Sequence, residues 1–173
     1  MPHHVRPGRA LRLRGRTFVP GETGLLAIIN RTPDSFYDEG RYLDDEDALT
    51  AVTRAVTDGA DAVDVGGVKA GPGPEVSAAE ELRRVVPFVA TIRAAYPDLV
   101  ISVDTWRASV ADAACEAGAD LINDAWAGHD PELSAVAGAH GVGYLCAHTG
   151  GHPPRTTRIG FGTTTWSPRP SRT

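Results

Sequence analysis

Lysine is nearly missing from this 173-residue chain: Lys69 stands alone beside sixteen arginines, an imbalance that points to coding bias rather than chemistry. Cysteine is scarce too, with Cys115 and Cys146 the two present. Each falls within an apolar periodic segment, neither has metal-site spacing, and neither has a paired base. Both are therefore expected as reduced thiols of a cytoplasmic protein, not as a disulfide, a zinc site or a nucleophile. No apolar run approaches the ~18 residues of a membrane span. The N-terminal stretch carries positive charge but lacks the apolar centre of a secretory signal. A net charge of -5 gives no reason to expect nucleic acid or an anionic membrane as partner, although a local anion site stays compatible with it. What is present, 42% hydrophobic and 23% charged residues, is ordinary globular composition for one domain.

The chain reads as an alternation. Residues 10–18 alternate apolar and polar around Gly15 and suggest a short hairpin. Leu25 to Ile29 is an apolar run expected to be a strand buried on both faces, ending at Asn30. The following Arg31-Thr32-Pro33-Asp34-Ser35-Phe36 is a polar loop around a proline, with a capped turn as its plainest reading. A helix starts near Asp45, with Ala48, Leu49, Val52, Ala55 and Val56 on one face. Residues 61–67 form a second strand closed by two glycines. Ser77 to Glu80 is a capping box that opens a helix, which Pro87 is expected to bend or shorten. A third strand, 99–103, ends at Asp104. A helix follows that stops at Gly118, then a fourth strand, 119–123, ending in Asn123-Asp124. Asp130 with Pro131 is expected to cap the next helix and Gly138 to end it, before a fifth strand, 142–147, delivers His148.

Helices used as crossovers force parallel pairing, and parallel sheets carry their chemistry at the carboxyl ends of the strands. Asn30, Asp64, Asp104, Asn123 and His148 would then share one rim. Such amides and carboxylates suit a heterocycle rich in N–H donors, with a hard cation accommodated at their oxygens.

These residues resemble the dihydropteroate synthase family. Its first-strand signature is similar to Ile29-Asn30-Arg31-Thr32-Pro33-Asp34-Ser35-Phe36, with Arg31 in place of the usual apolar residue. Ile101-Ser102-Val103-Asp104-Thr105, followed by Ala117 to Asp124, resembles the family's third and fourth strands in order and spacing. The resemblance implies an α/β (β/α)8 TIM barrel of which about the first five strand-helix units are present, over residues 1–148, followed by an irregular, disordered tail at 149–173. It implies a transferase of folate biosynthesis that condenses 6-hydroxymethyl-7,8-dihydropterin diphosphate with p-aminobenzoate, releasing pyrophosphate, with Mg2+ as cofactor and a homodimer as the family's assembly. By the same resemblance Asn30 would bind magnesium or the diphosphate, and Asp104 with Asn123 the pterin, Asp64 lining the same pocket. Thr32, Asp34, Ser35 and Phe36 would form the loop that closes over the second substrate.

The chain departs from the family at the second strand's exit. Where the family continues into a segment resembling E-S-T-R-P-G, this chain has Val68-Lys69-Ala70-Gly71, so hydroxyl and guanidinium donors are lost and Lys69 is the one charge expected nearby. The tail, with Arg155, Arg158, Arg169 and Arg172 and no acid, is +4. A chain this short suggests a truncated gene. A catalytically inactive pterin-binding paralogue and a pterin-binding methyltransferase domain are the alternatives; the Thr32 to Phe36 loop favours the synthase over the methyltransferase.

Overall fold

The structure, a computed structural model, describes residues 10–32, 45–126, 128–147 and 153–155. Strands β1 (Leu11–Leu13) and β2 (Arg16–Phe18) make an antiparallel hairpin. Five parallel strands follow, β3 (Leu26–Asn30), β4 (Ala62–Gly66), β5 (Val100–Asp104), β6 (Leu121–Asp124) and β7 (Gly143–Cys146), each hydrogen-bonded to the one before it in the chain. Helices α1 (Asp45–Thr57), α2 (Ala78–Ala95), α3 (Ala108–Glu116) and α4 (Leu133–His140) are the crossovers. No helix among the described residues is long and apolar enough to cross a membrane.

Register gives the two sheet faces different chemistry, because neighbouring side chains in a strand alternate sides. One face carries Ile29, Val63, Val65, Ile101, Val103 and Ile122, which pack with Val52, Val85, Phe88, Val89 and Ile92 of the helices into the main core. On the other face residues align in rows across the strands. Leu26, Ala62 and Val100 form the lowest row; Ile28, Asp64, Ser102 and Leu121 the next; Asn30, Gly66, Asp104 and Asn123 the highest, at the carboxyl ends. The lowest row is closed by the hairpin, whose Leu13 packs with Ala62, Val100 and Leu121.

Several details differ from the sequence expectations. The β3 strand is buried on one face only: Ile29 is 3% exposed on the helix side, whereas Ile28 is 68% exposed on the other. An apolar run cannot report which of its faces is covered, and no described element lies across this side of β3. The α2 helix runs through Pro87. That residue sits on the solvent side, so the carbonyl it leaves without a partner is hydrated, while buried Val85, Phe88 and Val89 carry the helix past it. Gly138 lies inside α4. The left-handed residue that ends the helix is Gly141, at φ 65°, whose N–H returns to the Ala137 and Gly138 carbonyls. Burial of both Leu133 and Ala137 requires that extra turn. Asp130 does not cap α4 directly, since Glu132 takes that position. Its carboxylate instead accepts from Glu132 N at 3.0 Å, opening the turn before α4, and from Ala108 N at 2.8 Å, capping the start of α3. Both cysteines are free thiols, Cys115 half-buried and Cys146 exposed.

Candidate functional site

The upper row is the site. Asn30, Asp104 and Asn123 are the last or nearly the last residues of their strands, and Gly66 lies between the first two. A Cβ at Gly66 would stand 3.5 Å from Asn30 Oδ1 and 3.9 Å from Asp104 Oδ2. Glycine therefore leaves a flat floor that any larger residue would fill.

Beneath this row lies a hydrogen-bonded support. Ser102 Oγ donates to Asp64 Oδ1 at 2.6 Å, and Asn123 Nδ2 donates to Asp64 Oδ2 at 2.9 Å. The buried Asp64 carboxylate thereby fixes the Asn123 amide with its nitrogen downward, leaving Oδ1 as the group presented upward. Asp124, on the opposite face of β6, is fully committed elsewhere. It accepts from Trp126 N, Gly128 N and the Tyr144 hydroxyl, and so shapes the β6 exit rather than the rim.

Charge at the rim is out of the ordinary. Burial, reinforced by the negative charges of Asp64, Glu81 and Asp124, pushes the Asp104 carboxyl from 3.8 up to about 7. Burial also raises Asp64, against the lowering effect of its Ser102 and Asn123 hydrogen bonds. A carboxyl that titrates near neutrality accepts protons readily when empty, and surrenders them to a ligand that brings N–H donors.

Arg31, whose presence after Asn30 is unusual for the motif, is buried at 6% exposure. Its guanidinium lies 4.6 Å over the Phe88 ring and pairs with Asp45, the first residue of α1, while its backbone N–H reaches the Gly66 carbonyl at 2.7 Å. An apolar residue there would pack against the same core; Arg31 does so through its stem and stacked face. Glu81 is also buried, paired with Arg107 at the start of α3. Sequence inspection places it on the hydrated first turn of α2, and only the fold reveals that it faces the core behind Gly67. Ser102 was legible as a small residue two before Asp104 on the same face, a signal that went unused. Thr32 is buried and lines a cavity with Lys69. Asp34, Ser35, Phe36, His148 and the tail other than 153–155 lie outside the described residues.

A divalent cation finds little protein coordination here. Among the described residues no group of three or more His, Cys, Asp or Glu side chains is arranged to hold a metal. Magnesium, however, is commonly bound by one or two protein oxygens with substrate phosphates and water completing the shell. The Asn30 amide oxygen beside the open Gly66 floor fits that mode.

A family model for pterin binding enzymes matches residues 26–165. The inactive dihydropteroate synthase 2 of Mycobacterium tuberculosis is 58% identical over 155 residues, covering 88% of this chain and 49% of that protein. Among solved structures, the Yersinia pestis dihydropteroate synthase in complex with a sulfonamide drug superposes with a TM-score of 0.72 at 38% identity, over 79% of this chain and 49% of that one. The Coxiella burnetii dihydropteroate synthase in complex with pteroic acid superposes with a TM-score of 0.69 at 35% identity, over 82% and 50%. The chain thus spans about half the length of the relatives it matches. Its five parallel strands and intervening helices are the corresponding part of their TIM barrel. By sequence, by fold and by the polar row at its strand ends, this chain belongs to the family of pterin-binding enzymes.

Proposed function

We propose that the rim binds the pterin ring of a pterin diphosphate, and that the site is that of a dihydropteroate synthase-like transferase, whose reaction joins the pterin methylene carbon to the amine of p-aminobenzoate with loss of pyrophosphate. The observation that carries this reading is the single row of Asn30, Gly66, Asp104 and Asn123. With Asn123 turned by Asp64, the row offers two adjacent acceptors, the Asp104 carboxylate and Asn123 Oδ1. A pterin edge presents ring N–H and exocyclic amine donors side by side, and a desolvated carboxylate facing them makes charge-assisted hydrogen bonds. Asp64 and Ser102 orient these acceptors, and Gly66 leaves space for a planar ring.

Asn30 is placed to hold the diphosphate end together with magnesium, which when bound neutralises charge on the leaving group. Thr32, with Asp34, Ser35 and Phe36, belongs to the segment proposed to close over the amine and exclude water from the electrophilic methylene carbon. A cytoplasmic, homodimeric enzyme is the setting that the family suggests. A second reading, in which the chain binds pterin without condensing it, is favoured by one feature: Val68-Lys69-Ala70-Gly71 supplies no hydroxyl to the second loop.

The test is titration of purified 1–173 with the pterin diphosphate and, separately, with 6-hydroxymethylpterin, across pH 5.5 to 8.5. Because ligand donors favour ionised Asp104, binding should release a proton. Affinity is then expected to fall by up to about tenfold per pH unit below pH 7 and to level off above it. Asp104→Asn should lose about tenfold or more at pH 8 and lose the pH slope. Equal binding by wild type and Asp104→Asn would sink the reading. Pteroate formation above that of Asn30→Ala would decide for the transferase over the silent binder.

A further inference from the structure

The floor of the rim is acidic, but its lip is not. Thr32 lines a cavity of about 210 Å3 together with Lys69, Glu75, Arg84 and Arg155, the last arriving from far along the chain. That volume is several times the ~30 Å3 a water occupies in the liquid. Arg155 anchors the β4–α2 loop: its Nε lies 3.1 Å from the Lys69 carbonyl and 3.2 Å from that of Gly71, and its Nη1 lies 2.5 Å from that of Pro74. Its Nη2 passes over Gly73, where a Cβ would be only 2.8 Å away. Among the described residues Arg155 meets carbonyls and no carboxylate, so its charge is solvated by dipoles without being neutralised. Its backbone holds φ at 61°, a conformation that costs a non-glycine residue about 1–2 kcal/mol and persists where surrounding contacts over-determine it. Arg84 is fixed at the opposite wall, donating to Glu80 at 2.6 Å and to the Gly67 carbonyl at 2.9 Å. Glu75 is the one acid on the lining, against three cations.

We infer that this cavity is an anion subsite in which Arg155 both shapes the β4–α2 loop and supplies the guanidinium charge that the loop's own sequence lacks. It takes a carboxylate or phosphate group. The cavity alone carries that statement. That one ligand spans both ends, with its N–H edge on Asp104 and Asn123 and its anionic end beside Arg155, rests in addition on the pterin reading. A bipolar ligand matches a bipolar site: like charges between ligand and wall would repel at either end if it were reversed.

Calorimetric titration of full-length 1–173 at pH 7.5 with inorganic phosphate, and separately with benzoate, tests the subsite without any pterin. Saturable binding of one anion per chain is expected, and preference between the two probes assigns the phosphate or the carboxylate. Arg155→Gln keeps donors for the loop carbonyls but removes the charge, and should weaken binding about tenfold or more; Arg155→Lys keeps the charge and should fall between. Asp104→Asn should leave anion affinity unchanged, so a failed pterin site and a failed anion site give different results. Arg12→Ala, which removes the same charge at the hairpin end of the sheet, should also change nothing. Wild-type affinity in Arg155→Gln, an equal loss in Arg12→Ala, or no saturable binding of either probe would overturn the inference.

Discussion

Asp104→Asn is expected to raise the melting temperature at pH 8 while removing pterin affinity. The folded-state carboxyl titrates at about 7 against 3.8 for the unperturbed group, with burial as the leading cause. A carboxyl raised by folding binds more protons in the native state than in the unfolded state between those two values. Its contribution is therefore fully present below pH 3.8 and is lost as pH climbs through 7. The shift bounds the loss at about 4 kcal/mol. For a chain of this size that corresponds to a difference of up to roughly 10 °C between variant and wild type at pH 8, shrinking toward nothing near pH 4. Melts of both proteins from pH 4 to 8.5 check this. Asp64, raised in the same direction, leaves the variant with a residual slope of the same sign. Parallel profiles for the two proteins would show that Asp104 is not strained by its surroundings. The rim thus holds a charge against the preference of the fold, and a donor-rich ligand relieves it.

The second large effect lies at the opposite end of the strands. Asp120→Ala is expected to cost about 3–5 kcal/mol, and to lower the melting temperature at pH 7 by roughly 10 °C or more. The Asp120 carboxylate, 7% exposed as a residue, accepts from Arg93 Nη2 at 2.6 Å, from Arg14 Nε at 2.9 Å and from the buried Ile101 backbone N–H at 3.0 Å. Truncation leaves a buried N–H without an acceptor and two guanidinium groups without their carboxylate, which is the expensive way to break such a cluster. Arg93 retains bonds to the Gly118, Tyr96, Pro97 and Leu99 carbonyls, so it stays in place as an uncompensated charge. Asp120→Asn preserves part of the acceptor capacity and should lose less than half as much. Equal losses for the two substitutions in denaturant melts would show that shape, not charge, is what Asp120 contributes.

Much of the architecture was legible because period and punctuation agreed. Apolar runs of four or five residues, separated by helical stripes and closed by Gly59 and Gly118, have few readings other than parallel crossovers, and the polar strand ends marked the rim. What escaped was anything set by coverage from elsewhere. Nothing in Leu25 to Ile29 says that Ile28 faces outward. Nothing in the first turn of α2 says that Glu81 is buried, because its burial depends on Arg107 arriving from the next unit. The second loop read as short of cations, with Lys69 the one charge in sight; Arg84 and Arg155 reach it through the fold, from 15 and 86 residues away along the chain. Between Gly138 and Gly141 the sequence offered two equal stops, and the burial of Leu133 and Ala137 selected the later one.

Strands that pair strictly in chain order have a consequence for assembly. Every ladder of the large sheet joins consecutive strands, so most of the fold can close by short steps, each unit condensing on its predecessor with modest loop entropy. The contacts that violate this locality are few and functional in position: Arg14 to Asp120 spans 106 residues, Asp64 to Asn123 spans 59, and Arg155 to Lys69 spans 86. Such contacts form after the nucleus and contribute little to the folding rate. They act instead on the rate of unfolding, so the acceptor row and the cationic lip are the parts of the molecule that govern how long it stays folded, rather than how fast it gets there.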